Sequence, residues 1–365
     1  MFKQLSPIFA IGLTVIRCQV TELEDRTTNP LFPISHMEQV VRLELPPGNI
    51  SASSNGRIFF SFFPQGEPEI KVAELQNGQV IPFPDLEFQH NFDSVLSVRV
   101  DDKGRLWTLD YGNIIGTGKT KIYGFDITTK QVIHEFEFPK TLAPKDSLFN
   151  DMQIDTIRET VFITDTSPIG GDPGLVVYNI QTKTGKRILK GHPSVVGERN
   201  QIKVNGQPFQ VAGVPIIFNA DSIALDKNRE WLYFAPFTSG SLFRAKVADL
   251  INDSLTPDQL AQKVENFAEK TMSDGISIDT NNGIYITDPE HSAITFLDEN
   301  KNLKTLFKDT SLRWPDGFSY APDGYMYLTC SALNDVFLQT KDTIKKRGPY
   351  FIHRFQVTTP GIIGR

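Results

Sequence analysis

Cysteine and histidine are both scarce in this sequence. Cysteine occurs twice among 365 residues, as Cys18 and Cys330, which is too few for a disulfide framework or a cysteine-based zinc site. The six histidines show no HExxH pattern or other paired-ligand spacing, so they do not indicate a zinc centre either. Nothing near Cys330 in the sequence would lower its pKa, and we interpret it as a structural strand residue.

Basic charge and long apolar runs are also missing. The sequence has 37 Lys and Arg residues against 43 Asp and Glu residues, for a formal net charge of −6. No basic excess exists to offset phosphate charge, so the composition predicts no nucleic-acid partner. Beyond the first residues, no apolar run is long enough to cross a bilayer, and we predict no integral membrane segment in the mature chain.

The first residues form a pattern of their own. Met1-Phe2-Lys3 and the apolar run over residues 5–16 are typical of the basic and apolar regions of a secretory signal peptide. The run is too short to span a bilayer as a helix. No small-x-small cleavage site is evident. We predict a signal peptide over residues 1–22 and a secreted or periplasmic mature chain.

A repeated unit fills the rest of the sequence. Each copy has a polar or small residue, an alternating apolar run, an Asp or other turn residue, and a second apolar run. The clearest copies pair residues 273–279 with 283–288, and residues 314–320 with 324–329. Four further copies begin at Gly48, Leu96, Asn150 and Asp221.

The spacing of the copies predicts the fold. Equivalent positions are 42 to 71 residues apart, which fits propeller blades of four strands each. The longest separation predicts an insertion between the third and fourth blades. We therefore predict an all-β, six-bladed β-propeller that forms a single domain over residues 23–365. One helix is predicted over residues 258–270, because Thr256, Pro257 and Gln259 form a capping-box start.

The residues that open the copies are the candidate functional site. The innermost strands of a propeller begin at the same end of the central channel, so these positions converge although they are far apart in sequence. Four of them are polar: Asn150, Asp221, Asp274 and Asp316. Carboxylates gathered at one mouth repel one another unless a cation, an amine ligand or a raised pKa offsets their charge.

This pattern leaves several interpretations open. Taken singly, each Asp also suits a turn cap at the start of its strand. Taken together, the side chains offer the oxygen ligands that Ca²⁺ or another hard divalent cation prefers. The candidate metal ligands are Asn150, Asp221 and Asp274. Phe218 and Trp314 lie near these positions in the sequence and either wall a pocket or pack between blades.

Several stretches carry a family resemblance. They are PGNI at residues 47–50, RLWTLD at 105–110, GLVVY at 174–178, HPS at 192–194, WLYF at 231–234, SDG at 273–275, YITD at 285–288 and WPDG at 314–317. In this order they resemble the yellow/major royal jelly protein family, and the bacterial members more than the cysteine-paired insect members. The resemblance implies a six-bladed propeller, usually secreted. Some members bind biogenic amines, and some are linked to dopachrome conversion.

A more distant resemblance is to the gluconolactonase/senescence-marker propellers, which use Ca²⁺ or another divalent ion. This resemblance implies channel ligands on four blades, and Asn150 and Asp274 match those of the third and fifth blades. Asp221 stands where the fourth-blade Asn would be, and Gly48 replaces the first-blade Glu. The missing acid favours a ligand-binding propeller over a metal hydrolase.

The sequence therefore predicts a secreted propeller that binds a small molecule, an aromatic amine or a dopachrome-like compound, at one channel mouth. The predicted ligand-binding residues are Asn150, Asp221, Asp274, Asp316, Phe218 and Trp314. One or more carboxylates would pair with an ammonium group, while Phe218 or Trp314 would contact the ring. The alternative is a divalent-metal-dependent lactonase or esterase, in which the ion polarises a carbonyl group and a carboxylate is the base. A third hypothesis places the function in surface contacts.

Overall fold

The computed structural model describes residues 20–112, 118–168 and 171–365. Six four-stranded antiparallel sheets surround a central axis, and their innermost strands contact one another in a closed ring. This is the six-bladed β-propeller that the sequence predicts. Among these residues, none of the helices has the length and apolar character that crossing a bilayer would require.

The first three blades use consecutive strands, described here from the innermost strand outward. Blade 1 consists of Pro47–Ala52, Ile58–Phe62, Val72–Gln76 and Gln79–Pro82. Blade 2 consists of Val95–Val100, Arg105–Asp110, Lys121–Asp126 and Val132–Glu137. Blade 3 consists of Phe149–Asp155, Thr160–Asp165, Gly174–Asn179 and Thr184–Ile188.

The last three blades follow the same plan, except that blade 6 takes its outermost strand from the start of the propeller. Blade 4 consists of Ala220–Leu225, Trp231–Pro236, Ser241–Lys246 and Glu265–Glu269. Blade 5 consists of Ile276–Ile278, Ile284–Asp288, Ala293–Leu297 and Leu303–Lys308. Blade 6 consists of Pro315–Tyr320, Tyr325–Cys330, Tyr350–Gln356 and Met37–Leu43.

The strand that precedes blade 1 closes the ring. Met37–Leu43 pairs antiparallel with Tyr350–Gln356, with Leu43 opposite Tyr350 and Met37 opposite Phe355. The two ends of the repeat array therefore share one sheet. Such closure stabilises a propeller because the first and last blades cannot separate without breaking strand pairing.

Burial within a blade falls from the axis outward. Thr160–Asp165, a second strand, is buried at every position, whereas the outermost strand Val132–Glu137 is mostly exposed. The second strands are covered on both faces by neighbouring blades, which explains why most of their residues are apolar. Phe59 and Phe83 meet edge to face, with ring centroids 5.0 Å apart. Cys330 is buried, and burial raises the pKa of its thiol, in agreement with a structural role.

Short helices lie between the strands, some within a blade and some outside it. They are the 3₁₀ helices Ile34–His36, Pro64–Gly66 and Phe88–Asn91, and the α-helices Val247–Leu250, Pro257–Ala261, Leu333–Val336 and Lys341–Arg347. Two small hairpins, Lys203–Val204 with Gln207–Pro208 and Gln210–Val211 with Val214–Pro215, lie in the insertion between blades 3 and 4. The insertion is therefore where the spacing of the repeats predicts it.

The prediction of a helix over residues 258–270 is wrong about the length of the helix. Thr256 does form the predicted capping box, but the helix covers only Pro257–Ala261. Glu265–Glu269 is instead the outermost strand of blade 4. The strand prevails because Phe267 packs edge to face against Tyr233 of the same sheet, with ring centroids 5.2 Å apart. The other three α-helices of the described residues were not predicted.

The predicted signal peptide lies mostly outside the described part of the chain. Residues 1–19, which include Cys18, are not described. Thr21, near the predicted end of the peptide, donates from its backbone N–H to the carbonyl oxygen of Arg199 at 2.8 Å. Glu22 forms an ion pair with Lys203 at 2.6 Å. The last predicted residues of the peptide therefore contact the propeller, and its boundary stays a prediction.

Candidate functional site

A cavity of about 110 Å³ lies at the end of the channel where the innermost strands begin. The six positions that open the sequence repeats all line it, namely Gly48, Leu96, Asn150, Asp221, Asp274 and Asp316. Phe218 lines it as well. The structure thus brings together five of the predicted ligand-binding residues, contributed by the starts of blades 3 to 6.

β-Bulges at the starts of the innermost strands aim side chains into this cavity. In blade 3 the pairing register shifts between Phe149 and Met152. Blades 1, 2, 4 and 6 show the same irregularity at the equivalent place. In a regular strand successive side chains point to opposite faces, whereas a bulge lets neighbours share one face. Asp151 consequently lines the cavity beside Asn150.

Hydroxyl groups on the second strands fix the backbone where the innermost strands begin. Each accepts a hydrogen bond from a backbone N–H at the start of the innermost strand in its own blade. The donor–acceptor pairs, each at 3.0 Å, are Asn49–Ser61, Asp151–Thr164, Gly275–Thr287 and Gly317–Thr329. The sequence signal for this feature is the Thr that recurs at the end of the second apolar run, which marks the repeat but does not by itself reveal a bulge.

Asp221, Asp274 and Asp316 form an acidic cluster in the cavity wall. Burial raises the pKa of Asp274 to about 6, while a hydrogen bond from Trp314 acts in the opposite direction. Burial also raises the pKa of Asp221, and the charges of Asp274 and Asp316 raise it further. Burial and the charge of Asp274 raise the pKa of Asp316 in the same way. The cluster therefore keeps its protons to a higher pH than isolated carboxyl groups do, and a bound cation would displace them.

Trp314 lies behind this cluster. Its indole Nε1 donates a hydrogen bond to Oδ2 of Asp274 at 2.7 Å, and the side chain is fully buried. Its ring stacks on Phe237, with 5.4 Å between the centroids. Phe237, which was not among the predicted site residues, lines the cavity. Trp314 is therefore placed to orient Asp274, while Phe237 presents its ring to the cavity.

Asp151 is a fourth acidic residue in the cavity wall, and it was not among the predicted site residues either. Its Oδ1 accepts hydrogen bonds from Ser97 Oγ at 2.6 Å and from the backbone N–H of Met152 at 2.7 Å. Nη2 of Arg99 lies 3.3 Å from the same oxygen, and Arg99 is buried. Arg99 is therefore an internal counter-ion for Asp151.

Aromatic rings and the short helix Leu333–Val336 cover the cavity like a roof. Phe218 and Phe337 both line it. Phe209, from the insertion between blades 3 and 4, packs against Phe337 with ring centroids 5.6 Å apart. Leu338 donates from its backbone N–H to Oε1 of Gln65 at 2.7 Å. The roof is thus assembled from blade 1, blade 6 and the insertion.

The predicted metal ligands Asn150, Asp221 and Asp274 all line the cavity, and their oxygen atoms are of the kind that Ca²⁺ prefers. Across residues 20–112, 118–168 and 171–365, no three or more Asp, Glu, His or Cys side chains are grouped so that they could hold an ion. One oxygen of Asp274 is also bonded to Trp314. No catalytic step through a metal follows from this geometry.

Blade 1 contributes no acid at Gly48, where the gluconolactonase pattern has glutamate. A Cβ atom on Gly48 would lie 2.8 Å from Ser61 Oγ. That hydroxyl is fixed, because it donates to the carbonyl oxygen of Leu96 at 2.6 Å and accepts from the N–H of Asn49 at 3.0 Å. A glutamate at this position therefore requires the bulge of blade 1 to rearrange.

The fold and the cavity define a class of protein: a six-bladed β-propeller with an acidic, aromatic-walled cavity at one end of its channel. Residues 93–356 match the family model of the major royal jelly proteins. The chain belongs to the major royal jelly protein family, as its sequence motifs indicate. A comparison with curated protein sequences gave no match.

Solved structures share the fold at low sequence identity. A gluconolactonase from Xanthomonas campestris is 10% identical, with a TM-score of 0.56 over 89% of each chain. The calcium-binding protein regucalcin from Agrobacterium tumefaciens is 12% identical, with a TM-score of 0.56 over 92% of this chain and 98% of its own. A luciferin-regenerating enzyme is 10% identical, with a TM-score of 0.59 over 90% and 97%. These likenesses establish the propeller fold alone.

Proposed function

We propose that the cavity binds a small nitrogen-containing aromatic molecule, such as an aromatic amine or a dopachrome-like compound. The observation that carries the proposal is the meeting of Asp221, Asp274 and Asp316 in one cavity with an aromatic wall. An ammonium group would replace the protons of this cluster, because its charge offsets the mutual repulsion of the carboxylates. Asn150 would exchange one further hydrogen bond with the ligand.

The size of the cavity favours a compact ligand. Its volume of about 110 Å³ is below the roughly 150 Å³ of an apolar protein cavity that holds one benzene ring, so the enclosed space would take the amine end of the ligand and not its ring. The ammonium group would enter first, among the carboxyl groups, and the ring would lie against Phe218 and Phe337, which contact each other edge to face. Aromatic faces provide flat apolar contact area and also attract a cationic nitrogen.

Calorimetry at pH 8 tests this proposal with dopamine, tryptamine and indole-3-propionic acid. Tryptamine and the acid share their ring and chain length, but their end groups carry opposite charges. We expect a micromolar dissociation constant for the amines, which corresponds to a binding free energy of about −8 kcal/mol. The affinity of the acid should be at least about tenfold lower, because like charges repel in a desolvated site. Equal affinities for tryptamine and the acid, or no heat with any of the three, would refute the proposal.

Amine affinity should also depend on pH. Burial raises the pKa of Asp274 to about 6, so this group is largely protonated below pH 6 and cannot pair with a cation. We expect affinity to rise from pH 5 to pH 7 and to level off above it, by up to about tenfold per pH unit below the midpoint. Titrations of tryptamine at each pH measure the profile, and a flat profile would exclude Asp274 as the pairing group.

A metal-dependent lactonase or esterase is the second candidate, because oxygen side chains of Asn150, Asp221 and Asp274 line one cavity. Elemental analysis of the purified protein, with thermal unfolding in Ca²⁺ and in EDTA, separates the two functions. A stoichiometric divalent ion and a Tm that EDTA lowers would favour the lactonase. A metal-free protein whose Tm neither addition changes would favour the amine site.

We also propose that the chain is exported. The basic and apolar start of the sequence and the usual secretion of the family support this. Cell fractionation and N-terminal sequencing of the expressed full chain test it. Because Thr21 contacts the propeller, we expect a mature N-terminus at or before this residue. A soluble intracellular product that retains Met1 would contradict export.

A further inference from the structure

Residues 360–365, which we name the plug segment, enter the channel at the end opposite the cavity. The backbone N–H of Thr280 donates a hydrogen bond to the carbonyl oxygen of Pro360 at 2.9 Å. The backbone N–H of Tyr320 donates to the carbonyl oxygen of Arg365, also at 2.9 Å. Both donors lie at or just beyond the far ends of the innermost strands of blades 5 and 6.

Side chains from inside the channel hold the tip of the plug segment. Ser51 Oγ and Arg99 Nη1 donate hydrogen bonds to the carbonyl oxygen of Gly364 at 2.9 and 3.1 Å. Ser51 and Arg99 each lie three positions after the cavity-lining residue that opens their sequence repeat. Arg365 Nη1 donates to the carbonyl oxygen of Leu225, in blade 4, at 2.9 Å. The plug segment is thereby bonded to blades 1, 2, 4, 5 and 6.

Arg99 connects the plug segment with the cavity. One nitrogen of its guanidinium group donates to Gly364, and another lies 3.3 Å from Oδ1 of Asp151 in the cavity wall. Arg99 is only 3% exposed. A buried guanidinium group is costly unless its charge is paired and its N–H groups are bonded, so both contacts fix its position.

The backbone at Gly364 leaves no room for a side chain. Its φ is +84°, and a Cβ atom would lie 2.4 Å from the carbonyl oxygen of Val100 and 3.2 Å from that of Ala52. Alanine at this position therefore combines a strained φ with a collision against two innermost strands. Gly324 has nearly the same φ, +86°, with no atom within 4 Å of its Cβ position, and is a matched control.

We propose that the plug segment seals the far end of the channel and that Arg99, held between Gly364 and Asp151, is the positioning residue that anchors it. The cavity then exchanges its contents only through the roofed mouth. This closure does not depend on which ligand the cavity binds, so it stands or falls separately from the function proposed above.

A cysteine inside the channel reports on the seal. Ser277 occupies the position in blade 5 that corresponds to Ser51 and Arg99, is buried, and has no hydrogen-bond partner for its Oγ within the described ranges. Ser277→Cys is a near-isosteric change at that site. A small methanethiosulfonate reagent would be added to the full chain, and peptide mapping would separate labelling of the introduced thiol from labelling of Cys18 and Cys330.

The plug segment is tested by comparing labelling rates in this background. Gly364→Ala should accelerate labelling by about tenfold or more, because a group that is protected in the closed state reacts only when the segment opens. Gly324→Ala should leave the rate near that of the parent. Removal of residues 360–365 provides a second variant if Gly364→Ala does not fold. Equal rates with and without the segment would overturn the proposal.

The role of Arg99 is tested with the same reporter. Arg99→Met should accelerate labelling to a similar extent, and its combination with Gly364→Ala should add little, because both changes break one anchor. Arg99→Lys keeps a charged donor and should restore most of the protection. Two results would overturn the anchoring role. One is a double variant whose labelling rate rises by the product of the two single effects. The other is a lysine variant that is labelled as fast as the methionine variant.

Discussion

Replacing Asp274 with asparagine is expected to weaken tryptamine binding about 100-fold at pH 8. The change removes the negative charge but keeps the shape, and Trp314 Nε1 can still donate to the amide oxygen. Truncating one partner of a buried, hydrogen-bonded charge pair costs about 2–5 kcal/mol of binding free energy. The expected loss of about 100-fold in affinity lies within this interval. Calorimetry of the purified variant measures the loss.

Asp146→Asn is the matched control for this variant. Asp146 is exposed, and it lies two residues before Leu148, which lines the cavity. Both substitutions change the net charge by one unit at the same end of the molecule, so a general electrostatic effect would act on both. The control should bind tryptamine within about twofold of the parent, since long-range charge effects are screened by salt. Equal losses in both variants would show that Asp274 does not contact the ligand.

The same substitution should stabilise the folded chain at neutral and alkaline pH. Burial raises the pKa of Asp274 from 3.8 to about 6, so the folded chain binds this proton more tightly than the unfolded chain does. The stability that this proton contributes is fully present below about pH 4 and is lost as the pH rises through about 6. At 1.36 kcal/mol per pKa unit, the loss is at most about 3 kcal/mol.

Urea unfolding of the parent and of Asp274→Asn at several pH values measures this effect. Other carboxyl groups, such as Glu74 and Glu159, have a lowered pKa and change stability with pH in the opposite direction. The difference between the two proteins removes their contribution. We expect the variant to gain stability relative to the parent between pH 4 and pH 7, while it loses ligand binding. A difference that stays constant with pH would contradict a raised pKa at Asp274.

The sequence predicts the blades well because each blade repeats the same chemistry. Six copies of one hairpin pattern establish the number of blades, and their equivalent positions establish which residues meet at the axis. Asn150, Asp221, Asp274 and Asp316 are found together for this reason alone. The insertion between blades 3 and 4 is found because it lengthens one interval of the repeat.

The parts of the site that the sequence does not predict depend on local irregularity. Asp151 faces the cavity because a bulge interrupts the alternation of side chains, and no period-2 pattern records a bulge. Phe337 reaches the cavity from a loop that has no counterpart in the other blades. Trp314, predicted from its position in the chain to contact a ligand ring, instead lies behind Asp274 and bonds to it.

The helix predicted over residues 258–270 shows a different limit. A capping box specifies where a helix begins, and Thr256 and Gln259 do form one. Where the helix ends is decided by tertiary contacts, because Glu265–Glu269 pairs with the third strand of blade 4 and Phe267 packs against Tyr233. Packing of the sheet therefore outweighs local helix propensity after Ala261.

A structure of the protein crystallised with tryptamine at pH 8 would decide whether the cavity is an amine site. We predict the ammonium nitrogen within hydrogen-bonding distance of carboxylate oxygens of Asp274 and of Asp221 or Asp316, with the indole ring against Phe218. Tryptamine bound elsewhere on the molecule, or a divalent ion coordinated by Asn150, Asp221 and Asp274 in its place, would contradict the amine site.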